Sequence, residues 1–148
     1  MTARMKGRRH EASQVVDAVA QWSQRSPHIA ALALVGSYAR GAERMASDVD
    51  LVLLSPEPEN LADSGWFAEL LPGAKLVRSL RWGPVHERRY RLRSGLVVEL
   101  GIAPTSWAAL PLDAGTRRVL ADGHRILFDD GRLQAAAQAA TCSIAGLP

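Results

Sequence analysis

Two aspartates, Asp48 and Asp50, come directly before and at the start of an apolar run, residues 49–54 in "SDVDLVLL". That run has the length and composition of a buried strand. Alternate residues of a strand point to the same face, so both carboxylates are expected to project together. Two like charges held close raise each other's pKa unless a cation lies between them. The pair therefore predicts a site for a divalent metal, Mg²⁺ or Mn²⁺.

A glycine–serine pair precedes the aspartates. Gly36 and Ser37 end an apolar strand predicted over residues 29–35 and open a short helix predicted over residues 37–45. Such a turn offers backbone N–H groups, a hydroxyl and the positive end of a helix to a phosphate. Glycine allows the backbone to approach the ligand closely. Arg40, one turn further on, could reach the same phosphate. These residues predict a nucleotide-phosphate site.

A third carboxylate, Glu99, lies within the apolar run "LVVELGI". A buried glutamate without a partner is costly, and a metal or a proton to abstract would explain its position. The alternative is a structural glutamate paired with an arginine such as Arg40 or Arg89. With Asp48 and Asp50 upstream, the functional interpretation is favoured, so Glu99 is predicted to complete a site of three carboxylates.

The rest of the chain alternates helical and extended patterns. Further helices are predicted over residues 11–25, 61–71, 114–122 and from about 131, and further strands over residues 74–82, 85–93, 96–102 and 125–128. This alternation predicts an α/β (α+β) fold with helices packed on a mixed sheet. We expect residues 1–10 to be a basic flexible tail and residues 11–148 to form one domain, with the motifs in residues 29–102 and an extension over residues 103–148.

Composition limits the class of protein. A chain of 148 residues with 47% hydrophobic residues is expected to form one globular domain. No apolar stretch approaches the ~20 residues of a membrane span. The single cysteine, Cys142, has no partner for an internal disulfide, which favours a reducing cytoplasm.

Positive charge is segregated along the chain. Residues 1–10 hold four basic residues and no acid, and residues 75–93 hold seven basic residues and one acid, Glu87. Two interpretations stay open: a surface that faces an anionic partner, or a solvated arginine-rich hairpin. A nucleic-acid partner is unsupported, because aromatic residues do not interleave with these arginines. The four tryptophans are expected to be packing residues.

The spacing of these motifs resembles a known signature. Gly36-Ser37, ten intervening residues, then Asp48-Val49-Asp50 and an apolar strand look like the DNA polymerase β-like nucleotidyltransferase superfamily. The fuller "GSYARG" and "SDVDLVLL" are similar to its small bacterial branch, the minimal and antibiotic nucleotidyltransferases. The resemblance implies the nucleotidyltransferase fold, with Ser37 on nucleotide phosphate and Asp48 and Asp50 on metal.

The same resemblance gives Glu99 two alternative roles, as a metal ligand or as a base. Aspartate is the commoner third acid in the superfamily, and glutamate resembles the aminoglycoside-modifying members, where it serves as the base. The implied reaction moves a nucleoside monophosphate from an NTP, ATP being the expected donor, to an acceptor hydroxyl and releases pyrophosphate. Two metal ions would assist this transfer.

The acceptor has two candidates. One is a small molecule such as an aminoglycoside-like drug. The other is a partner protein, as in minimal nucleotidyltransferases that act as antitoxins by adenylylating a helical HEPN toxin. A third, different function is a catalytically idle module that binds a nucleotide or neutralises a toxin by contact, which the complete carboxylate set disfavours. Residues 103–148 are short for a second helical domain, which favours a partner chain, a homodimer or a large acceptor.

Overall fold

The computed structural model describes the backbone of residues 2–145 and the side chains of residues 2–141. The expectation for Cys142 concerns a side chain outside this part. The strands are β1 (Ala31–Val35), β2 (Val49–Ser55), β3 (Lys75–Trp82), β4 (Val85–Arg91), β5 (Val97–Pro104) and β6 (His124–Asp129). The helices are α1 (Ala3–Arg25), α2 (Gly36–Arg40), α3 (Pro58–Asp63), α4 (Trp66–Leu70), α5 (Ala114–Ala121) and α6 (Arg132–Ala145), with a 3-10 helix at Thr105–Ala108.

The six described strands form one mixed sheet in the order β3-β4-β5-β2-β1-β6. β2 and β5 are parallel, and the other neighbouring pairs are antiparallel. The prediction of a single α/β domain with a mixed sheet is confirmed. The parallel pair matters for function, because it joins the strand that carries Asp50 to the strand that carries Glu99.

Each face of the sheet has its own apolar layer. On one face, α1, α3 and α4 bury a core that includes Val19, Leu53, Phe67 and Ile102. On the other face, α5, α6 and the 3-10 helix cover the β1 and β6 side of the sheet. β3, at the far edge of the sheet, is exposed along its whole length. The second face is therefore open where β5, β4 and β3 carry their polar side chains.

The N-terminal segment differs from its prediction. α1 begins at Ala3, so residues 3–10 are helical rather than a flexible tail. The side chain of Thr2 caps the helix by accepting a hydrogen bond from Met5 N–H at 3.1 Å. Arg9 pairs with Glu43 at 2.8 Å, which ties this part of the helix to the domain. The apolar periodicity begins only where α1 meets the core, so it could not mark the earlier turns.

Two predicted helices are shorter than expected. α2 spans five residues instead of the predicted 37–45 and ends at Gly41, whose φ of 70° reverses the chain. The helix predicted over 61–71 is divided into α3 and α4 by Gly65, with a φ of 72°. Glycine adopts this left-handed conformation without the cost that a Cβ imposes. The loop after α2 then leads directly to Asp48.

Candidate active site

One row of side chains crosses four strands on the open face of the sheet. The register places Asp50 beside Glu99, Glu99 beside Arg89, and Arg89 beside Arg78. Residues paired across neighbouring strands project to the same face. The row therefore contains two acids followed by two bases, and strand pairing alone brings these four residues together.

The three predicted carboxylates form one cluster. Asp48, in the loop before β2, joins Asp50 and Glu99, and one oxygen of each lies within 4.8 Å of the others. All three residues are half-buried. Three carboxylate oxygens at this separation fit the preference of Mg²⁺ or Mn²⁺ for hard oxygen ligands, with room left for phosphate oxygens or water. The roles of the three residues remain predictions.

Two arginines contact the cluster. Arg89 Nη1 lies 3.0 Å from Asp48 Oδ2 and 2.5 Å from Glu99 Oε1. Arg78 Nη2 lies 3.1 Å from Glu99 Oε1 and 2.7 Å from Glu87 Oε1. The sequence offered Arg89 as a structural partner of Glu99, and the structure contains that pair. Arg89 also contacts Asp48, so its guanidinium bridges two carboxylates as a bound metal ion would.

Sequence reasoning missed Arg78, Arg89 and Glu87 as site residues. For Glu87 and Arg89 a signal was present, because charged residues recur at a spacing of two over residues 87–93, whereas Arg78 has no such pattern around it. That spacing places them on one face of a strand. The sequence could not indicate which face, because the register of β3 and β4 against β5 is a long-range property.

Asp50 is the electrostatically strained member of the cluster. Burial, the charge of Glu99 and the charge of Asp48 together raise its pKa to about 7, and Arg89 opposes this shift. Neither Arg89 nor Arg78 forms an ion pair with Asp50 among the described residues. A divalent cation would supply the missing positive charge and favour the ionised carboxylate.

The glycine–serine turn adjoins this carboxylate. Gly36 has a φ of 74°, and a Cβ at this position would overlap Asp50 Oδ2. The side-chain hydroxyl of Ser37, which is half-buried, makes no hydrogen bond to another residue in the described part of the chain. With only five residues, α2 adds little helix dipole. The turn can therefore offer a hydroxyl and backbone N–H groups to a phosphate beside Asp50.

Arg40 points to a different partner. Its Nη1 donates to Asp122 Oδ2 at 2.8 Å and to the Asp122 carbonyl oxygen at 3.2 Å. The arginine lies against Gly123, where a Cβ would collide with Arg40 Cγ. The structure thus holds Arg40 through Asp122 rather than beside the three carboxylates. Its contact with a phosphate stays a prediction.

A cavity of about 370 Å³ opens beside the cluster. Gly36, Asp50 and Glu99 contribute to its wall together with Trp82 and Trp107. The expectation that the tryptophans are packing residues is wrong for Trp82, which is 62% exposed, whereas Trp107 is partly buried against the apolar layer of the second face. Trp22 and Trp66 stack in the core with ring centroids 3.9 Å apart.

Fold and site together define a nucleotidyltransferase-type domain, with a mixed sheet, a glycine–serine turn and carboxylates on neighbouring parallel strands. The family model for the nucleotidyltransferase domain matches residues 15–100, more than half of the chain, and the chain belongs to this family. The resemblance to the DNA polymerase β-like superfamily is thereby confirmed. No curated protein matches the chain. None of the helices within residues 2–145 combines the length and apolar character needed to cross a bilayer.

Proposed function

We propose that this protein transfers a nucleoside monophosphate from an NTP, with ATP as the expected donor, to an acceptor hydroxyl and releases pyrophosphate. The observation that carries the proposal is the meeting of Asp48, Asp50 and Glu99 within 4.8 Å, on a chain that belongs to the nucleotidyltransferase family. Transfer of this kind requires mainly positioning and charge neutralisation, which a turn and three carboxylates can supply.

Each site residue has a proposed task. Ser37 and the backbone at Gly36 bind phosphate oxygens of the donor. Asp48 and Asp50 hold Mg²⁺ or Mn²⁺, which when bound would neutralise the triphosphate and the developing charge. The acceptor oxygen forms a bond to the α-phosphorus while the bond to the β-phosphate oxygen breaks, and pyrophosphate leaves with that electron pair. Glu99 takes the acceptor proton or shares in holding the metal.

The acceptor is proposed to be a partner protein or a small hydroxyl compound such as an aminoglycoside-like drug. The exposed β3 and the open face beside it support an acceptor that brings its own surface. On a partner protein, the reaction would be an antitoxin-like modification of a helical toxin. A homodimer that completes the acceptor site is a further arrangement compatible with this open face.

One observation favours the catalytically idle alternative. Arg89 already bridges Asp48 and Glu99, with N–O distances of 3.0 and 2.5 Å. A permanent arginine there would replace the metal and leave a module that acts by binding. For an active enzyme, Arg89 must instead leave these carboxylates when a divalent ion binds. Binding of Mn²⁺, measured by the loss of its free electron paramagnetic resonance signal, separates the two functions.

The reaction can be tested with α-³²P-labelled NTPs. We expect label to move to an acceptor, among aminoglycosides or proteins of a cell extract, with Mg²⁺ or Mn²⁺ present and pyrophosphate released. Asp48→Asn and Asp50→Asn should abolish the transfer. Asp63→Asn, an exposed aspartate that pairs with Arg88 on the other side of the sheet, is the matched control. Turnover at the wild-type rate in Asp50→Asn would contradict the proposal.

A further inference from the structure

We propose that the cavity beside the three carboxylates binds the nucleobase of the donor NTP, and that Trp82 and Trp107 form its stacking walls. This inference rests on the proposed nucleotidyl transfer and adds to it a subsite for the base. The cavity reaches from Gly36 and Asp50, at the proposed phosphate and metal end, to both indole rings. The base is joined to the α-phosphate through one ribose, so it must lie in a space continuous with that end.

The interior of the cavity suits a flat apolar group. Its walls beyond the carboxylates include Val52, Val85, Ala103 and Val119 in addition to the two tryptophans. The volume of about 370 Å³ falls in the range of small-molecule pockets. Against this apolar part of the wall, the hydroxyl groups of an acceptor would have no hydrogen-bond partners, which is costly. A nucleobase would bury its faces there.

Gly101 creates the depth of this cavity. The second row across the sheet contains Val52, Gly101, Glu87 and Leu80, in register. Without a side chain at Gly101, this row is interrupted directly beside Glu99. A Cβ there would meet only ordinary contacts, Leu51 O at 3.7 Å and Val85 Cγ1 at 3.8 Å. Packing therefore does not require glycine at this position, whereas an open cavity does.

Trp82 is held in place with its ring available. Its Nε1 donates to Glu87 Oε2 at 2.6 Å, and Glu87 also accepts from Arg78 at 2.7 Å. Partial burial disfavours the charge of Glu87, but these hydrogen bonds hold its pKa below the ordinary value. The indole N–H is satisfied in the ring plane, and the side chain is 62% exposed. A fixed, exposed indole is a stacking platform without its ligand.

Two of the four carboxylates that line the cavity are held by side chains of this protein outside the carboxylate cluster. Glu87 is bound by Arg78 and Trp82, and Asp122 is bound by Arg40. Because these groups already have partners, we expect the base to be recognised mainly by stacking on the indole rings and to form few hydrogen bonds through its edge. Stacking tolerates different bases, and its strength depends on ring size. ATP and GTP are therefore expected to bind alike, and both more tightly than UTP.

The test compares two ligands by calorimetric titration with Mg²⁺: α,β-methylene ATP and inorganic tripolyphosphate, which lacks the nucleoside. In the wild type, the nucleotide should bind roughly 5- to 100-fold more tightly, as expected for one stacked base. Gly101→Val fills the cavity with a residue that favours strands. This variant should lose most of the difference in affinity between the nucleotide and tripolyphosphate. Its affinity for tripolyphosphate and its melting temperature should stay those of the wild type.

A second set of variants tests the rings themselves. Trp82→Ala and Trp107→Leu should each reduce the affinity for the nucleotide relative to tripolyphosphate. Trp82→Phe, which keeps an aromatic ring, should retain much of that difference. Leu76→Ala is the matched control, because Leu76 is an exposed apolar residue of the same strand as Trp82 and does not line the cavity. It should leave both affinities unchanged.

The outcomes separate this inference from the proposed function. A wild-type nucleotide advantage that persists in Gly101→Val and in the tryptophan variants overturns the base subsite, and so does an equal loss for both ligands. If nucleotide binding depends on the tryptophans but tripolyphosphate does not bind the wild type, the base subsite stands and the phosphate assignment fails. If neither ligand binds the wild type, both proposals are wrong.

Discussion

Asp50 Oδ2 lies so close to Gly36 that a Cβ at residue 36 would overlap it, so Gly36 and the carboxylate of Asp50 are packed directly against each other. Gly36 follows β1, Asp50 is the second residue of β2, and the two strands are paired with Val35 opposite Asp50. Glycine is therefore favoured at residue 36 for two reasons: the φ of 74°, and the space that the Asp50 carboxylate needs beside it. One contact couples the proposed phosphate turn to the proposed metal ligand.

Gly36→Ala should damage the site more than its backbone strain explains. We expect loss of stability and a marked fall in Mn²⁺ affinity, because the new methyl group displaces Asp50. Gly41→Ala is the matched control, since Gly41 has a φ of 70° with nothing within 4 Å of an added Cβ. That variant should lose about 1–2 kcal/mol of stability and keep its Mn²⁺ affinity. Equal Mn²⁺ affinity in both variants would contradict the coupling.

Replacing Arg89 should strengthen metal binding and weaken the metal-free fold. Arg89→Met removes the cation that bridges Asp48 and Glu99. Without its competition, Mn²⁺ affinity should rise on the order of 10-fold. The metal-free protein should melt at a lower temperature, because the carboxylates then repel one another without a counter-charge. Arg91→Met, an exposed arginine of the same strand, is the control, and a lower Mn²⁺ affinity in Arg89→Met would contradict the prediction.

The stability of the metal-free protein should depend on pH through Asp50. Its pKa is raised to about 7 in the folded protein from an ordinary value of 3.8. Between these values the folded state keeps a proton that the unfolded state has lost, so the free energy of unfolding falls as the pH rises. Above pH 7 this destabilisation is complete.

Asp50→Asn removes that pH dependence. At pH 8 without metal, the variant should melt on the order of 10 °C above the wild type. Well below the ordinary pKa of 3.8 the two melting temperatures should converge, because Asp50 is then protonated in both the folded and the unfolded state of the wild type. Thermal unfolding across this range, in the presence of a chelator, is the measurement. A constant difference between the two proteins at every pH would be inconsistent with a raised pKa.

Glu99→Gln distinguishes the three roles open to this residue. For a base, transfer should fall roughly 10²–10⁴-fold while NTP and metal affinities stay nearly unchanged. For a metal ligand, metal affinity should fall with the rate, and additional Mn²⁺ should partly restore activity. For a structural acid, stability should fall while turnover per folded molecule stays the same.

The control for Glu99 is Glu43→Gln. The Glu43 side chain is 10% exposed and pairs with Arg9 at 2.8 Å, and it is not a member of the carboxylate cluster. This variant shows how the loss of one shielded ion pair affects melting without touching the site. Full activity and unchanged stability in Glu99→Gln would remove every role assigned to Glu99, and with it the completeness of the site.

The sequence by itself determined those features that depend on neighbours along the chain. Asp48 and Asp50 project together because a strand repeats every two residues, and the turn at Gly36 follows from a backbone conformation that glycine favours. The order of helices and strands, the single mixed α/β domain and the family signature all follow from such local patterns. The early turns of α1 were missed because they have no apolar periodicity until the helix meets the core.

Only the tertiary structure decided which side chains meet across the sheet. Nothing local pairs Asp50 with Glu99, since the parallel register of β2 and β5 arises from packing two strands that are distant in sequence. The same holds for Arg89, whose partners are on β5 and in the loop before β2. The cavity between Trp82 and Trp107 likewise needs β3, β5 and the 3-10 helix in their final places. Alternation along a strand determines which side chains share a face, whereas the register between strands, set by long-range packing, determines which side chains of neighbouring strands lie side by side.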